Sequence, residues 1–197
     1  GFACGFSDNL ENLIKNADNS MYRDKATRRN LFNDKFVEKI CNELEKENFF
    51  LSHIPLYILH DLTEDFGKNI GLSQNQYNML KDLIKFHDAG LIGGDRKDNN
   101  KIDHCEVGAR IAENLMENRE LSQLILNHHE RWDGNGLLKI RGGDIPLVNR
   151  VFSILYHYCN DIYNHNLTAD RSMNNITKLS GEYFDPGLVK TFNQLFI

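Results

Sequence analysis

Four of the chain's eight histidines fall in one stretch with a carboxylate among them: His87-Asp88, His104, and the pair His128-His129 that opens the string HHERWDGNG. Neutral imidazole and carboxylate are the nitrogen and oxygen donors that suit zinc, iron or manganese, and one carboxylate can bridge two cations. Asp88 is the residue placed to be that bridge. Each doublet alone has a plainer explanation, His87-Asp88 as a hydrogen-bonded pair at a helix end and His128-His129 as a polar terminus covering open carbonyls. Both doublets also have glycines at their flanks, in HDAG and in HHERWDGNG. Two unrelated caps need not share that feature, so a metal site is the expectation that covers both.

The elements that must hold these residues read as almost wholly helical. Leu31, Phe32, Phe36, Val37, Ile40 and Leu44 recur at helical spacing and predict a first core or linker helix over 31–48. Apolar period and caps predict further helices near 53–69, 74–88, 103–117, 119–130, 144–163, 168–180 and 185–195, with Ser73 and Thr168 as N-caps. Pro55, Pro146 and Pro186 each stand where a helix can begin. GFACGF at the start is the one strand candidate. Glycine-rich turns at Gly90 to Gly94, Gly134 to Gly136 and Gly142-Gly143 adjoin the histidine blocks, where they would let the backbone approach a ligand, although helix termination explains the first equally well.

A hydrophobic content of 41% over 197 residues suits one compact core with an appended helix. No apolar run approaches the ~20 residues of a membrane span, and a soluble, cytoplasmic segment is expected. Cys4, Cys41, Cys105 and Cys159 are too scattered for a zinc ribbon or disulfide framework. Cys105 follows His104, but adjacent helical positions diverge by about 100°, so packing is its expected role. A net charge of −5 argues against a DNA-binding protein, which needs clustered cations. A phosphodiester would have to be held locally, by Arg96, Lys97 and Lys101 or by Arg131, Lys139 and Arg141. A solvated loop is the alternative for all six.

From Gly71 onward the chain resembles a known family. GLSQNQYNMLKDLIKFHDAGLIG is similar to the helix leading into the HD motif of the HD phosphohydrolase superfamily, with His87 and Asp88 as its namesake pair. HCEVGARIAENL, HHERWDGNG, DIPLVNRVF and GEYFDPGLVKTF resemble, in order, the later blocks of its HD-GYP branch, which hydrolyses cyclic di-GMP. At the other end, residues 1–30 resemble the last strand and helix of a GGDEF (diguanylate cyclase) domain, through Ala17-Asp18, Tyr22, Lys25 and Arg29-Asn30. A generic amphipathic helix fits Leu10, Leu13, Ile14, Ala17 and Met21 as well. The resemblance implies an all-α, HD-domain-like helical bundle over 51–197, a linker or first core helix over 31–50, and a GGDEF strand-helix remnant over 1–30, the rest of that domain lying upstream.

The family implies divalent ions, two if the set is intact and otherwise one, of iron, manganese or zinc. His104, His128 and His129 would hold one, and His87 with Asp88 the other, together with an upstream histidine and a late aspartate. His53 is nearer the expected register than His60 and is taken as that histidine. Ions sharing Asp88 would supply hydroxide near neutral pH for in-line attack on phosphorus, giving a phosphomonoester. The chain departs from the pattern in several places. Tyr156 stands where the late aspartate belongs, with His157 and Asp161 nearby; Leu91 replaces a lysine; and Gly136-Leu137-Leu138 replaces the GYP element. Two expectations follow: a divergent phosphodiesterase acting on cyclic di-GMP or a related nucleotide, or a regulatory module that binds metal or nucleotide without turnover and signals to an attached GGDEF domain. A helical homodimerisation platform is a third.

Overall fold

The computed structural model describes residues 34–44, 56–92 and 101–196, with side chains left out at residues 56, 57, 60 and 101–103. Gly1–Lys39 and Ile40–Ile197 are separate compact units. Of the first, residues 34–39 are described, and they are helical. The GGDEF-like segment, the GFACGF strand, His53, Pro55, Arg96 and Lys97 lie outside the described residues, as does the side chain of Lys101.

In the second unit, residues 40–44 are helical and bury Ile40 and Leu44. Seven further α-helices follow among the described residues: α1 (Leu56–Ile70), α2 (Gln74–Phe86), α3 (Lys101–Asn114), α4 (Arg119–Leu126), α5 (Leu147–Tyr163), α6 (Ala169–Lys178) and α7 (Pro186–Asn193). Short 3-10 turns occupy Ala89–Leu91, Gly142–Asp144 and Gln194–Phe196. The unit is all-helical: no strand occurs among the described residues, and the nearest approach is a lone bridge between Ser180 and Phe184.

Local chemistry sets the boundaries. Gly71, at φ 72°, takes the left-handed turn that ends α1. Two residues later Ser73 and Gln76 form a reciprocal capping box that starts α2. Asn118, Thr168 and Asp185 each cap the helix that follows with a side-chain oxygen, and Pro186 occupies the first turn of α7. Pro146 differs from expectation by one position, sitting just ahead of α5 as its cap residue. Helix α4 stops four residues earlier than its apolar period suggests, because Asn149 of α5 donates to the Leu124 carbonyl at 2.7 Å and the chain turns through Asn127 to His129.

Helix α5 runs through the core and packs on α2, α6, α1 and α7. It buries Val148, Val151, Phe152, Ile154, Leu155, Tyr158 and Cys159. Each fully buried large apolar side chain contributes ~1.5–3 kcal/mol, so this helix anchors the unit. Arg150 ties it to α7, donating at 2.6 Å to Asp185, whose other oxygen caps α7 at the Gly187 amide. Helix α3 packs on α4 and on the Ala89–Leu91 turn, completing the frame around the histidines.

Candidate metal centre

The buried stripe of α2 runs Leu80, Leu83, Ile84, and one turn further it reaches His87. The same periodicity that buries leucines therefore carries an imidazole into the interior, where it is 2% exposed. The turn after it presses against α3. A Cβ built on Gly90 would lie 2.0 Å from the His104 carbonyl oxygen and 2.8 Å from the Gly108 amide nitrogen. Glycine at position 90 is thus required by close backbone approach, and that approach sets the HD pair beside His104.

Three imidazoles meet at this point. His104 Nε2 lies 3.3 Å from His128 Nε2 and 3.1 Å from His129 Nε2. Tetrahedral metal–nitrogen bonds of ~2.0–2.1 Å place neighbouring ligand nitrogens ~3.3 Å apart, so the spacing fits donors arranged around one cation. The Nδ1 of His128 donates to the Ile125 carbonyl at 2.6 Å, which leaves Nε2 as its lone-pair nitrogen. Burial, then the charges of His129 and His87, hold His128 well below the usual histidine range, so it is neutral at pH 7. A neutral imidazole is the form that ligates.

Cys105 joins this group, contrary to the packing role expected from its helical bearing. Its Sγ is 3.6 Å from His104 Nε2 and 3.8 Å from His128 Nδ1. Ligating atoms of His104, Cys105, His128 and His129 all lie within 4.8 Å of one another, so the four could hold a metal ion. The angular argument fails because it describes Cβ directions, whereas the far nitrogen of a long imidazole swings back over the neighbouring thiol.

His87 and Asp88 stand next to the cluster as a pair of their own. His87 Nδ1 donates to the Ile84 carbonyl at 3.0 Å, and Nε2 contacts Asp88 Oδ2 at 3.2 Å. Burial opposes protonation of His87, but the charge and hydrogen bond of Asp88 outweigh it and raise the pKa. Burial likewise opposes ionisation of Asp88, yet His87, followed by His128 and His104, holds its carboxyl far below the ordinary range. The rings of His87 and His128 are 5.6 Å apart, centre to centre. Tyr156 closes the other side of His87, also at 5.6 Å, and burial followed by Asp88 pushes its phenol up to about 12.

The remaining candidates separate clearly. Arg131 donates to Asp133 at 2.7 Å and Glu182 at 2.8 Å while covering the Tyr183 ring, so its cation is engaged in joining two loops. Lys139 and Arg141 are exposed, and Lys139 holds a positive φ of 60°. Of the alternatives near Tyr156, His157 bonds the Ser153 carbonyl and stacks edgewise on Tyr183 and Phe184, and Asp161 accepts from Asn175 on α6. Glu130, which sequence reasoning overlooked, is buried and accepts from the Leu138 and Ile140 amides at 2.7 Å each. A Cβ on Gly136 would meet its carboxylate at 2.7 Å.

Residues 95–188 match the family model described as HD domain. A probable cyclic di-GMP phosphodiesterase of Vibrio cholerae is 31% identical over 75 residues, covering 36% of this chain and 17% of that protein. A 3'3'-cGAMP-specific phosphodiesterase of the same organism is 30% identical over 92 residues, covering 46% of this chain and 20% of its own length. The chain thus spans a small part of the curated relatives it matches. A crystal structure of a cyclic GMP-AMP-specific phosphodiesterase from V. cholerae superposes with a TM-score of 0.58 at 21% identity, over 68% of this chain and 42% of that one, which is likeness of fold. No helix among the described residues is long and apolar enough to cross a membrane. This chain carries an HD domain homologous to the cyclic di-nucleotide phosphodiesterases of Vibrio cholerae.

Proposed function

We propose that this chain is a metal-dependent phosphodiesterase whose substrate is cyclic di-GMP or a related cyclic dinucleotide. The observation that carries the reading is the 3.1–3.3 Å spacing of the His104, His128 and His129 nitrogens beside an ionised Asp88. Homology to enzymes named for cyclic dinucleotides narrows the substrate class. His104, His128 and His129 would hold one divalent ion, and His87 with Asp88 a second, joined by His53; iron, manganese or zinc suits these donors. A bound ion would supply Lewis acidity and an acidified water.

The chain's own groups have separable tasks. Asp88 keeps its negative charge at any pH the fold tolerates, held there by the His87 imidazolium. Ion binding at that pair must displace the His87 proton, which makes occupancy there depend on pH. Tyr156 remains a neutral phenol and offers polar contact where an aspartate would add charge. Lys139, projecting from the loop held by Glu130, is the cation available to a phosphate, with Arg141 beside it; Arg131 holds that loop in place through Glu182.

By the same reading, residues 1–30 are the end of a GGDEF domain, 31–50 a linker or first core helix and 51–197 the HD-GYP-like domain, working in the cytoplasm. The test is hydrolysis of cyclic di-GMP with manganese or iron(II) supplied. His129→Ala should reduce the rate by at least ~10²-fold, the scale of one lost electrostatic contact in catalysis. Activity indifferent to that substitution would remove the site. Metal bound with no turnover would instead assign the chain to the regulatory class.

A further inference from the structure

Three histidines leave a tetrahedral ion one ligand short, and the group nearest that gap is a sulfur. We infer that Cys105 supplies a thiolate as the fourth ligand, making a closed site of three nitrogens and one sulfur with His104, His128 and His129; this rests on the metal reading above. Bonds of ~2.0–2.1 Å to nitrogen and ~2.3 Å to sulfur at tetrahedral angles put adjacent nitrogen and sulfur atoms ~3.5 Å apart. Cys105 Sγ lies 3.6 Å from His104 Nε2. The nitrogen edges of 3.1 and 3.3 Å belong to the same tetrahedron.

Position and surroundings agree with that role. Cys105 is 3% exposed, and His104 and Cys105 are consecutive on α3, whose backbone is pinned by Gly90 against the HD turn. Ligation converts the thiol to a thiolate: the sulfur–hydrogen bond breaks, its proton leaves to solvent, and the sulfur's electron pair makes the bond to the cation. No oxidant or reductant is needed. Two consequences follow for the site. A soft sulfur donor turns selection from manganese toward zinc. Four protein ligands also leave no open position on this ion, so water activation would pass to the ion beside Asp88.

Cobalt(II) titrated into the metal-stripped full chain separates the alternatives. A thiolate ligand gives an intense near-ultraviolet sulfur-to-cobalt charge-transfer band together with strong visible bands of four-coordinate cobalt. We expect both in the unaltered protein and in Cys41→Ala. In Cys105→Ala the charge-transfer band should vanish and affinity fall at least ~10-fold, since loss of even an outer partner of a ligand weakens binding ~10–100-fold. X-ray absorption of the unaltered zinc-loaded chain gives the same answer without a variant, through one sulfur scatterer at ~2.3 Å. Cobalt bound with visible bands alone, or zinc with nitrogen and oxygen neighbours only, overturns the thiolate while leaving the histidine site standing. No bound metal overturns both.

Discussion

The HD pair and the histidine cluster are neighbours with opposite electrostatics. His87 and Asp88 satisfy each other: the imidazole has a carbonyl on one nitrogen and a carboxylate on the other, and both shifts favour the charged forms. His104, His128 and His129 point nitrogens at one another, and at His128 burial with neighbouring charge drives the proton off. A pair that is complete without a cation binds one at the expense of its own bond. A group of converging lone pairs is completed by a cation. The difference teaches which position should fill first.

The largest effect should come from unequal substitution of the two. We expect His104→Ala to abolish metal retention after purification and Asp88→Asn to keep an ion in the cluster, while each lowers hydrolysis by at least ~10²-fold. Metal analysis showing equal losses would erase the distinction between the positions.

A smaller effect probes the frame they share. Gly90→Ala must move the chain away from the His104 carbonyl, at a cost of ~1–3 kcal/mol or more for overpacking a rigid contact. Its thermal midpoint should fall, and metal affinity with it, since His104 is carried by the displaced backbone. An unchanged midpoint would mean that the turn and α3 are not in contact.

The smallest effect is pH-dependent stability of the metal-free protein. His128 has a lowered pKa in the fold, so as pH drops through the unfolded histidine value of ~6.5 the unfolded chain takes the proton first and stability falls, by up to ~1.4 kcal/mol per pH unit. His87 is raised, so its contribution is present in full below ~6.5 and is lost as pH rises through its folded pKa. Denaturant titrations with a chelator should therefore show a flatter low-pH slope in His128→Gln and a steeper one in His87→Gln. Identical slopes would contradict the opposed shifts.

Much of this was legible in the sequence. The helices followed from apolar period, with Ser73 and Thr168 capping as expected, because both signals are local. The histidine doublets were visible because donor types announce themselves. What stayed hidden depends on partners distant along the chain. Arg131 reads as a free cation until Glu182 and Tyr183 are brought to it. The early end of α4 is set by Asn149 from another helix. Cys105 was judged by backbone bearing, and side-chain reach decided otherwise. Gly90 looked like a helix stop, and the reason for it is the carbonyl of a residue on α3.

Glu130 follows His129 directly, and its carboxylate grips the two amides on either side of Lys139. One peptide link therefore joins the residue that faces the other imidazoles to the residue that shapes the rim. Any rearrangement of the Leu138–Ile140 hairpin large enough to break that grip pulls on a lever whose fulcrum is an imidazole of the cluster, so the rim and the nitrogen spacing cannot be tuned independently.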